Sequence, residues 1–206
     1  MTTNHRWHFI PLVVLLAVVA TPLMATAQKK EKVPPPLTEK ELNGIKQALP
    51  AKAIAKPKKD RRILVFWKCE GFFHGNGIAA GNKAIELIGE ATGAYTTDVT
   101  GDYAAFDKEN LAKYDAVVLN NTTRLKLSDD AKQNLLEFVK NGKGIVGIHA
   151  ATDNFYDWPE GASMMGGLFD GHPWGGGGTW AFKIDAPDHV LNRAWGGKGF
   201  KLKDEI

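Results

Sequence analysis

Short apolar runs alternate with segments of helical periodicity from residue 61 onward. Four runs rich in β-branched and other apolar residues predict strands, at residues 63–67, 95–100, 116–120 and 144–148. Apolar positions spaced three and four residues apart predict helices between them, over residues 78–89 and 131–140. Strands that alternate with helices at these distances are joined by right-handed crossovers, which predicts a parallel sheet covered by helices. We expect residues 144–148 to form a buried central strand of that sheet.

Capping signals mark where two of the helices begin. Ser128 followed by two acidic residues predicts the start of the helix that ends near Lys140. Thr38 and Glu41 fit a capping box, and apolar residues at helical spacing then continue up to Pro50. This short helix is either an accessory packed on the domain or a part of the leader.

The pattern changes after Tyr156. Glycines are frequent as far as Gly178 and leave the backbone free, which predicts a loop that covers or lines a site. Apolar and polar residues alternate over residues 180–185, which predicts an edge strand. Residues 187–191 then predict a helical turn, and a second strand-like segment begins at Leu202.

The first 27 residues have the three parts of a signal peptide. Residues 1–8 carry Arg6, residues 9–20 are an apolar run, and residues 25–27 supply an A-x-A cleavage site. The apolar run is too short for a membrane span, so no stable span is expected after cleavage. We predict cleavage after Ala27 and export from a bacterial-type cell, to the periplasm or the medium.

Charge divides the rest of the chain into a basic linker and a mildly acidic domain. Residues 29–62 hold 11 Lys/Arg against 4 Asp/Glu, a net charge of +7, and residues 63–206 hold 14 against 19, a net of −5. Phosphate contacts need clustered Lys and Arg, so a nucleic-acid partner is not expected for the domain. Residues 28–60 therefore predict a solvated linker with one short helix, and residues 61–206 predict the folded domain.

Cys69 is the single cysteine of the chain. No internal disulfide can form, even in an oxidising compartment. Cys69 follows the first predicted strand, and we expect a partly buried structural role for it rather than a reactive one.

His149 lies at the carboxyl end of the strand predicted over residues 144–148. Gly147, Ala150 and Ala151 surround it with small side chains, a frame close to the nucleophile elbow, in which a strand turns sharply into a helix. An imidazole replaces the serine or cysteine of that elbow. The expected chemistry is therefore acid/base catalysis, ligand hydrogen bonding or metal binding.

Other polar residues also follow predicted strands. His74 comes after the first strand and Asn120 to Thr123 come after the third. Ligands of open parallel sheets bind outside the carboxyl ends of the strands, so we expect these residues to share one edge with His149.

Several elements together resemble the ThuA-like (trehalose-utilisation) family, whose fold is similar to that of class I glutamine amidotransferases. They are F-F-H ending at His74, N-N-T-T at residues 120–123, G-K-G-I-V-G-I-H-A-A-T-D at residues 142–153, G-G-L-F-D-G-H-P-W at residues 166–174, D-H at residues 188–189 and D-E-I at residues 204–206. The resemblance covers residues 61–206.

The resemblance implies a three-layer, flavodoxin-like sheet and a role in carbohydrate catabolism, on oxidised (keto) sugars or glycosides. Family domains continue past the D-E-x-Y element, whereas this sequence stops at Ile206, so we expect the domain to be incomplete at its C-terminus. Because the elbow carries His149 and Cys69 lies on another strand, we predict no glutaminase activity.

We predict that His149 and Asp153 are catalytic. His149 would polarise or deprotonate the substrate, and Asp153 would orient it or shuttle a proton. The alternative for Asp153 is a helix or turn cap.

A second set of residues is predicted to bind the sugar. Asn121 and Thr122 would hold hydroxyl groups, aromatic rings would stack on the sugar, and Glu205 would add a polar contact; the stacking candidates are Trp158, Trp174 and Trp180. The alternatives are a closed turn for Asn121 and Thr122 and ordinary packing for the tryptophans.

The histidines also predict a site for a divalent, Zn-like metal ion. His74, His149 and His172 are the preferred ligands, with His189 and Glu205 as a second choice, and carboxylates near them in sequence would orient the imidazoles. No pair has the close H-x-x-x-H spacing of a strong metal motif. The alternative is that each histidine is a hydrogen-bonded structural residue.

Three classes of function remain open from the sequence. The first is a hydrolase, lyase or isomerase of (keto)sugars, with a small-molecule carbohydrate as its partner. The second is a non-catalytic module that binds a sugar or a partner, and the third is a structural exported domain whose site has decayed.

Overall fold

The computed structural model describes residues 1, 31–173 and 177–203. The chain divides into two units, Met1–Glu31 and Lys32–Ile206. Almost all of the first unit, with the predicted signal peptide, lies outside the described residues.

Four parallel strands form the sheet of the domain. They are β1 (Arg62–Phe66), β2 (Thr96–Thr100), β3 (Ala116–Asn120) and β4 (Gly144–Ile148). Their order across the sheet is β2-β1-β3-β4. Every neighbouring pair is parallel, as the alternation of strands and helices predicted.

Helices cover both faces of this sheet, which gives the three-layer, flavodoxin-like arrangement. Besides the short α3 (Lys108–Leu111), the connecting helices are α2 (Gly75–Thr92) and α4 (Asp129–Lys140). Leu64 and Val117 face the main core, where they pack with Leu135 of α4. Val65 and Val118 face the opposite side, against Ile85 of α2. Successive residues of a strand point to opposite faces, so a buried strand in such a sheet needs apolar residues at nearly every position.

The helix boundaries follow local capping chemistry. The Ser128 hydroxyl accepts a hydrogen bond from the N–H of Ala131 and starts α4. Gly93 ends α2 in the left-handed conformation, with φ of 61°. The predicted start of α2 was three residues late, because the glycine-rich loop supplies the first turn of the helix from Gly75.

One sequence expectation about the sheet was wrong. Within the described residues, β4 lies at the edge of the sheet and is not a buried central strand. Ile145 packs on the main core, but Val146 on the opposite face is 48% exposed. The apolar run correctly predicted a strand, but the composition of a strand does not determine whether a neighbour pairs with its outer edge.

The short helix α1 (Glu39–Gln47) has the predicted capping box. Thr38 accepts from the N–H of Glu41, and the Glu41 carboxylate accepts from the N–H of Thr38 at 2.8 Å. Residues of α1 and of the segment before it form a cleft with α2, in which Leu42 and Pro35 lie near Ala79. Of the two alternatives left by the sequence, the accessory helix packed on the domain is therefore the correct one.

The remaining elements follow β4. They are α5 (Pro159–Met165) and an antiparallel pair formed by β5 (Thr179–Phe182) and β6 (Phe200–Lys203). A 3₁₀ turn at Val190–Trp195 replaces the helical turn predicted slightly earlier in the chain. In the described part of the chain, no helix is long and apolar enough to cross a membrane.

Candidate functional site

A cavity of about 430 Å³ lies at the carboxyl edge of the sheet. Its lining comes from the loops after β1, β3 and β4 and from the segment after α5: Phe72, His74, Thr123, His149, Ala150, Thr152, Asp153, Phe169, Gly171 and His172. Three of the histidines that the sequence singled out thus meet in one cavity, together with Asp153. This volume is in the range typical of small-molecule sites.

His149 has the strained backbone of a strand-to-helix elbow. It directly follows β4, opens a 3₁₀ turn (His149–Thr152) and has φ of 50°. A Cβ atom at Gly147 would lie 3.1 Å from Cβ of Ala151, which explains the small residues around the histidine. A side chain in this left-handed region costs about 1–3 kcal/mol, and such strain concentrates at functional sites.

Backbone strain is concentrated around this cavity. In residues 31–173 and 177–203, four non-glycine residues have positive φ: Asn121, Arg124, His149 and Phe155. All four lie in the loops that follow β3 and β4. Packing must hold these residues in conformations that the isolated chain would avoid, so the edge is a pre-organised structure.

The imidazoles of His74 and His149 are in contact. Their ring centroids are 4.7 Å apart and the rings are nearly perpendicular, at 87°. His74 occupies the N-cap position of α2 without a side-chain capping bond, and its carbonyl oxygen accepts from the N–H of Ile78 at 2.9 Å, which fixes its backbone beside His149. Imidazole is the side chain most often used for general acid–base catalysis.

Asp153 is bound on two sides. Nε of Arg124 lies 2.8 Å from Oδ1 of Asp153, and the backbone N–H of Arg124 donates to the carbonyl oxygen of Asp153 at 2.7 Å. The Tyr156 hydroxyl is 2.8 Å from the same Oδ1, and its ring lies under the Arg124 guanidinium at 4.2 Å. Partial burial and the bond to Asp153 raise the pKa of Tyr156, which keeps its hydroxyl protonated as a donor. The carboxylate is therefore fixed in orientation and its charge is compensated.

Asn154 connects the loops after β3 and β4 by hydrogen bonds, a role that we did not predict from the sequence. It is fully buried, and its Oδ1 accepts from the N–H of Leu125 at 2.8 Å. Its Nδ2 lies within 3.0 Å of the carbonyl oxygens of Thr122 and Ala151. The only signal was an amide residue directly after the elbow, which is too common in turns to interpret.

Two predicted sugar-binding residues are not part of the cavity lining. Asn121 is 6% exposed and its amide donates to Oδ1 of Asn120, and Thr122 is fully buried beside Asn154. Thr123 lines the cavity instead. The loop after β3 turns inward at Asn121, where φ is 53°, so residues early in the loop face the protein interior.

The predicted aromatic contacts are placed differently as well. Trp158 is 7% exposed and packs against Phe155 in the main core, as the packing alternative held. Trp180 lies on β5 and is not among the lining residues. Trp174 and Glu205 lie outside the described residues. Phe72 and Phe169, which we did not predict as contacts, are the aromatic rings that line the cavity.

The histidines do not form a ready-made metal cage. His189 is exposed and caps the 3₁₀ turn by accepting from the N–H of Leu191. Across residues 31–173 and 177–203, no three His, Cys, Asp or Glu side chains are grouped so as to hold a metal ion. The zinc site therefore stays a prediction.

Cys69 supports the loops without facing the cavity lining. Its thiol is partly buried and donates to the carbonyl oxygen of Asn121 at 3.1 Å. Burial raises the pKa of the thiol. A raised pKa disfavours the thiolate, so the structural role predicted for Cys69 agrees with its environment.

The parallel sheet, its crossover helices and the polar edge define a flavodoxin-like α/β protein. The model of the ThuA family, described as trehalose utilisation, matches residues 62–206. The chain therefore belongs to the ThuA family, as the sequence elements suggested.

A solved structure supports the fold. The chain is similar to the crystal structure of a protein from Bacteroides uniformis described as ThuA-like, with 19% identity, a TM-score of 0.57 and 76% of this chain covered. The chain spans 63% of the length of that protein. A comparison with curated proteins found no match.

Proposed function

We propose that the cavity binds a sugar or keto-glycoside and acts on it by acid/base chemistry. The observation that carries this proposal is His149 itself, held in a strained elbow beside His74 and opening on a cavity with Asp153. Membership of a family named for trehalose utilisation supports a carbohydrate as the ligand.

His149 is the proposed general base. Its ring takes a proton from a hydroxyl group of the sugar, or from a carbon next to a keto group, and returns a proton to the product. His74 is in ring contact with His149 and holds its imidazole in position beside the substrate. The reaction type is a hydrolysis, an elimination or an isomerisation.

Asp153 is proposed to orient the substrate rather than to shuttle a proton. Arg124 and Tyr156 already bind Oδ1, which leaves Oδ2 as the acceptor for a substrate hydroxyl. Thr123 and Thr152 line the same cavity and are proposed to bind further hydroxyl groups. They take over the role that the sequence assigned to Asn121 and Thr122.

The test is turnover of a panel of keto-glycosides by the unaltered chain and by His149→Ala. We expect loss of 100-fold or more in turnover, the order of about 10²–10⁴ that general acid–base catalysis contributes. His189→Ala is the matched control, because His189 is an exposed histidine outside the cavity lining. Equal turnover by His149→Ala and the unaltered chain would contradict the proposal.

A non-catalytic sugar-binding module is the second candidate. The ion pair between Asp153 and Arg124 favours this binding module. Asp153 is the one carboxylate of the described lining, and a carboxylate paired with a cation is a weaker general base. Binding of a keto-glycoside without any conversion to product would select this candidate over the enzyme.

A divalent, Zn-like ion remains a separate proposal. His74, His149 and His172 would hold it, and a bound ion would polarise a carbonyl or a water molecule. Metal analysis of the purified protein, with His74→Ala for comparison, tests this proposal by the metal content alone.

We also propose that the protein is exported and lacks glutaminase activity. The elbow carries His149 where an amidotransferase needs a thiol, and the Cys69 thiol lies against Asn121 instead. Release of ammonia from glutamine by the purified protein would contradict the second statement. N-terminal sequencing of exported protein that still begins at Met1 would contradict cleavage after Ala27.

A further inference from the structure

Two phenyl rings form part of the cavity wall. Phe72 comes from the loop after β1 and Phe169 from the segment after α5. Phe72 is 69% exposed, although a phenyl ring of this size is usually buried. An exposed ring at the wall of a cavity is placed to contact a ligand.

The backbone of each phenylalanine is anchored to a loop that forms the site. The carbonyl oxygen of Phe72 accepts from the Thr123 hydroxyl at 2.7 Å. The N–H of Phe169 donates to the carbonyl oxygen of Thr152 at 3.0 Å, and its own carbonyl oxygen lies 2.7 Å from the Tyr156 hydroxyl. Both rings are therefore positioned by the same loops that carry the polar residues of the cavity.

Each phenyl ring lies beside an imidazole. The ring centroids of Phe72 and His74 are 4.7 Å apart, and those of Phe169 and His172 are 4.8 Å apart. The wall thus alternates apolar ring surface with hydrogen-bonding nitrogen atoms. A cyclic sugar has the matching surface, because its ring carbons present C–H groups on the faces and hydroxyl groups around the rim.

The charge of the cavity agrees with an uncharged ligand. Asp153 is the one carboxylate of the described lining, and Arg124 compensates it. Because Asp153 and Arg124 neutralise each other, this pair does not require a charged group on the ligand, and a neutral ring sugar fits beside it.

We infer that Phe72 and Phe169 are specificity-determining residues that pack against the C–H face of a cyclic sugar, so that the site selects a closed ring over an open-chain polyol. This inference rests on the proposed function, and it names the ring form as the substrate class. An open chain has no fixed apolar face, and it must lose conformational freedom before it can pack on either phenyl ring.

The test is binding to the full chain, measured by saturation-transfer NMR with two probes. Methyl α-D-glucopyranoside represents the closed ring and D-glucitol represents the open chain. We expect D-glucitol to bind about tenfold more weakly, and we expect Phe72→Ala and Phe169→Ala each to weaken binding of the ring about tenfold, since an apolar contact of this size is lost. Phe72→Tyr and Phe169→Tyr keep the ring and should stay within about twofold of the unaltered chain.

Leu191→Ala is the matched control, because Leu191 is an apolar residue that is 77% exposed and outside the cavity lining. Its binding of both probes should not change. Unchanged ring binding by the two alanine variants, or equal binding of ring and polyol by the unaltered chain, would overturn this inference alone. Binding of neither probe by the unaltered chain would overturn the proposed function together with the inference.

Discussion

The two ends of the sheet are stabilised by different means. At the carboxyl end, left-handed residues, buried amides and ring contacts surround a cavity of about 430 Å³. At the amino end, Asp115 binds Lys59 at 2.8 Å and Arg61 at 3.0 Å, and a larger cavity of about 1080 Å³ is lined by lysines and carboxylates.

The larger cavity lies at the amino end, so cavity volume alone would not select the carboxyl end, where we propose that the ligand binds. The larger cavity has charged walls but none of the four non-glycine residues with positive φ, and most of its charged side chains are exposed. The smaller cavity combines backbone strain with buried, satisfied amides. Strain that persists in a folded protein must be held by surrounding contacts, and it clusters at functional sites.

The largest effect on stability is expected from Asn154→Ala, at the carboxyl end. The change removes the hydrogen-bond partner of the partly buried N–H of Leu125 and of the buried carbonyl oxygen of Thr122, so we expect a loss of about 2–4 kcal/mol in the free energy of unfolding. Urea unfolding measures it. Asn43→Ala, on the exposed face of α1, is the control and should change stability by less than about 0.5 kcal/mol. Equal losses of unfolding free energy in the two variants would show that the buried amide of Asn154 does not stabilise the carboxyl end of the sheet.

At the amino end, acid should weaken the Asp115 cluster. Hydrogen bonds from Lys59 and Arg61 hold the pKa of Asp115 well below its usual range. A lowered pKa in the folded state means that the stabilisation is present above the unfolded value of about 4 and is lost as pH falls below it. We expect the difference in unfolding free energy between the unaltered chain and Asp115→Asn to be about 1 kcal/mol at pH 7. That difference should shrink at pH 3, and a constant difference would contradict the assignment.

A third prediction tests whether the backbone of residue 149 is strained, independently of the chemistry of the imidazole. Glycine tolerates the φ of 50° better than alanine, so His149→Gly should be more stable than His149→Ala by about 1 kcal/mol. Thermal unfolding of the two variants measures this difference. At Asn141, where φ is −82°, the same pair of substitutions should favour alanine or be neutral. A preference for alanine at residue 149 would show that the elbow is not strained.

The smallest effect concerns Cys69. Because burial raises the pKa of its thiol, reaction with iodoacetamide at pH 8 should be several times slower in the folded chain than in urea. The rate is followed by the mass of the alkylated protein. Equal rates in the two states would mean that Cys69 is an exposed, reactive thiol.

Much of the fold could be predicted because it depends on local periodicity. The apolar runs at β3 and β4 predicted both strands with their observed bounds, and the capping residues predicted where α1 and α4 begin. The exposed position of β4 could not be predicted, because it depends on which strands pair with its outer edge.

The sequence predicted at which end of the sheet the site lies, but it did not predict the contacts between the side chains of the site. His74 and His149 follow strands, so the topology alone brought them to one end of the sheet. The inward turn at Asn121 and the pairing of Asp153 with Arg124 depend on backbone conformation and on contacts between distant loops. The tryptophans were misleading because large aromatic residues serve the core as often as they serve a ligand, and Trp158 does the former.

We propose that the sugar binds at the carboxyl end of the sheet, between the imidazole pair and Asp153. A crystal structure of the chain with a bound keto-glycoside would locate it. We expect the sugar in the smaller cavity, with a hydroxyl or keto oxygen within hydrogen-bonding distance of His149 and another on Asp153. A sugar bound among the lysines at the amino end, with the cavity around His149 unchanged, would contradict it.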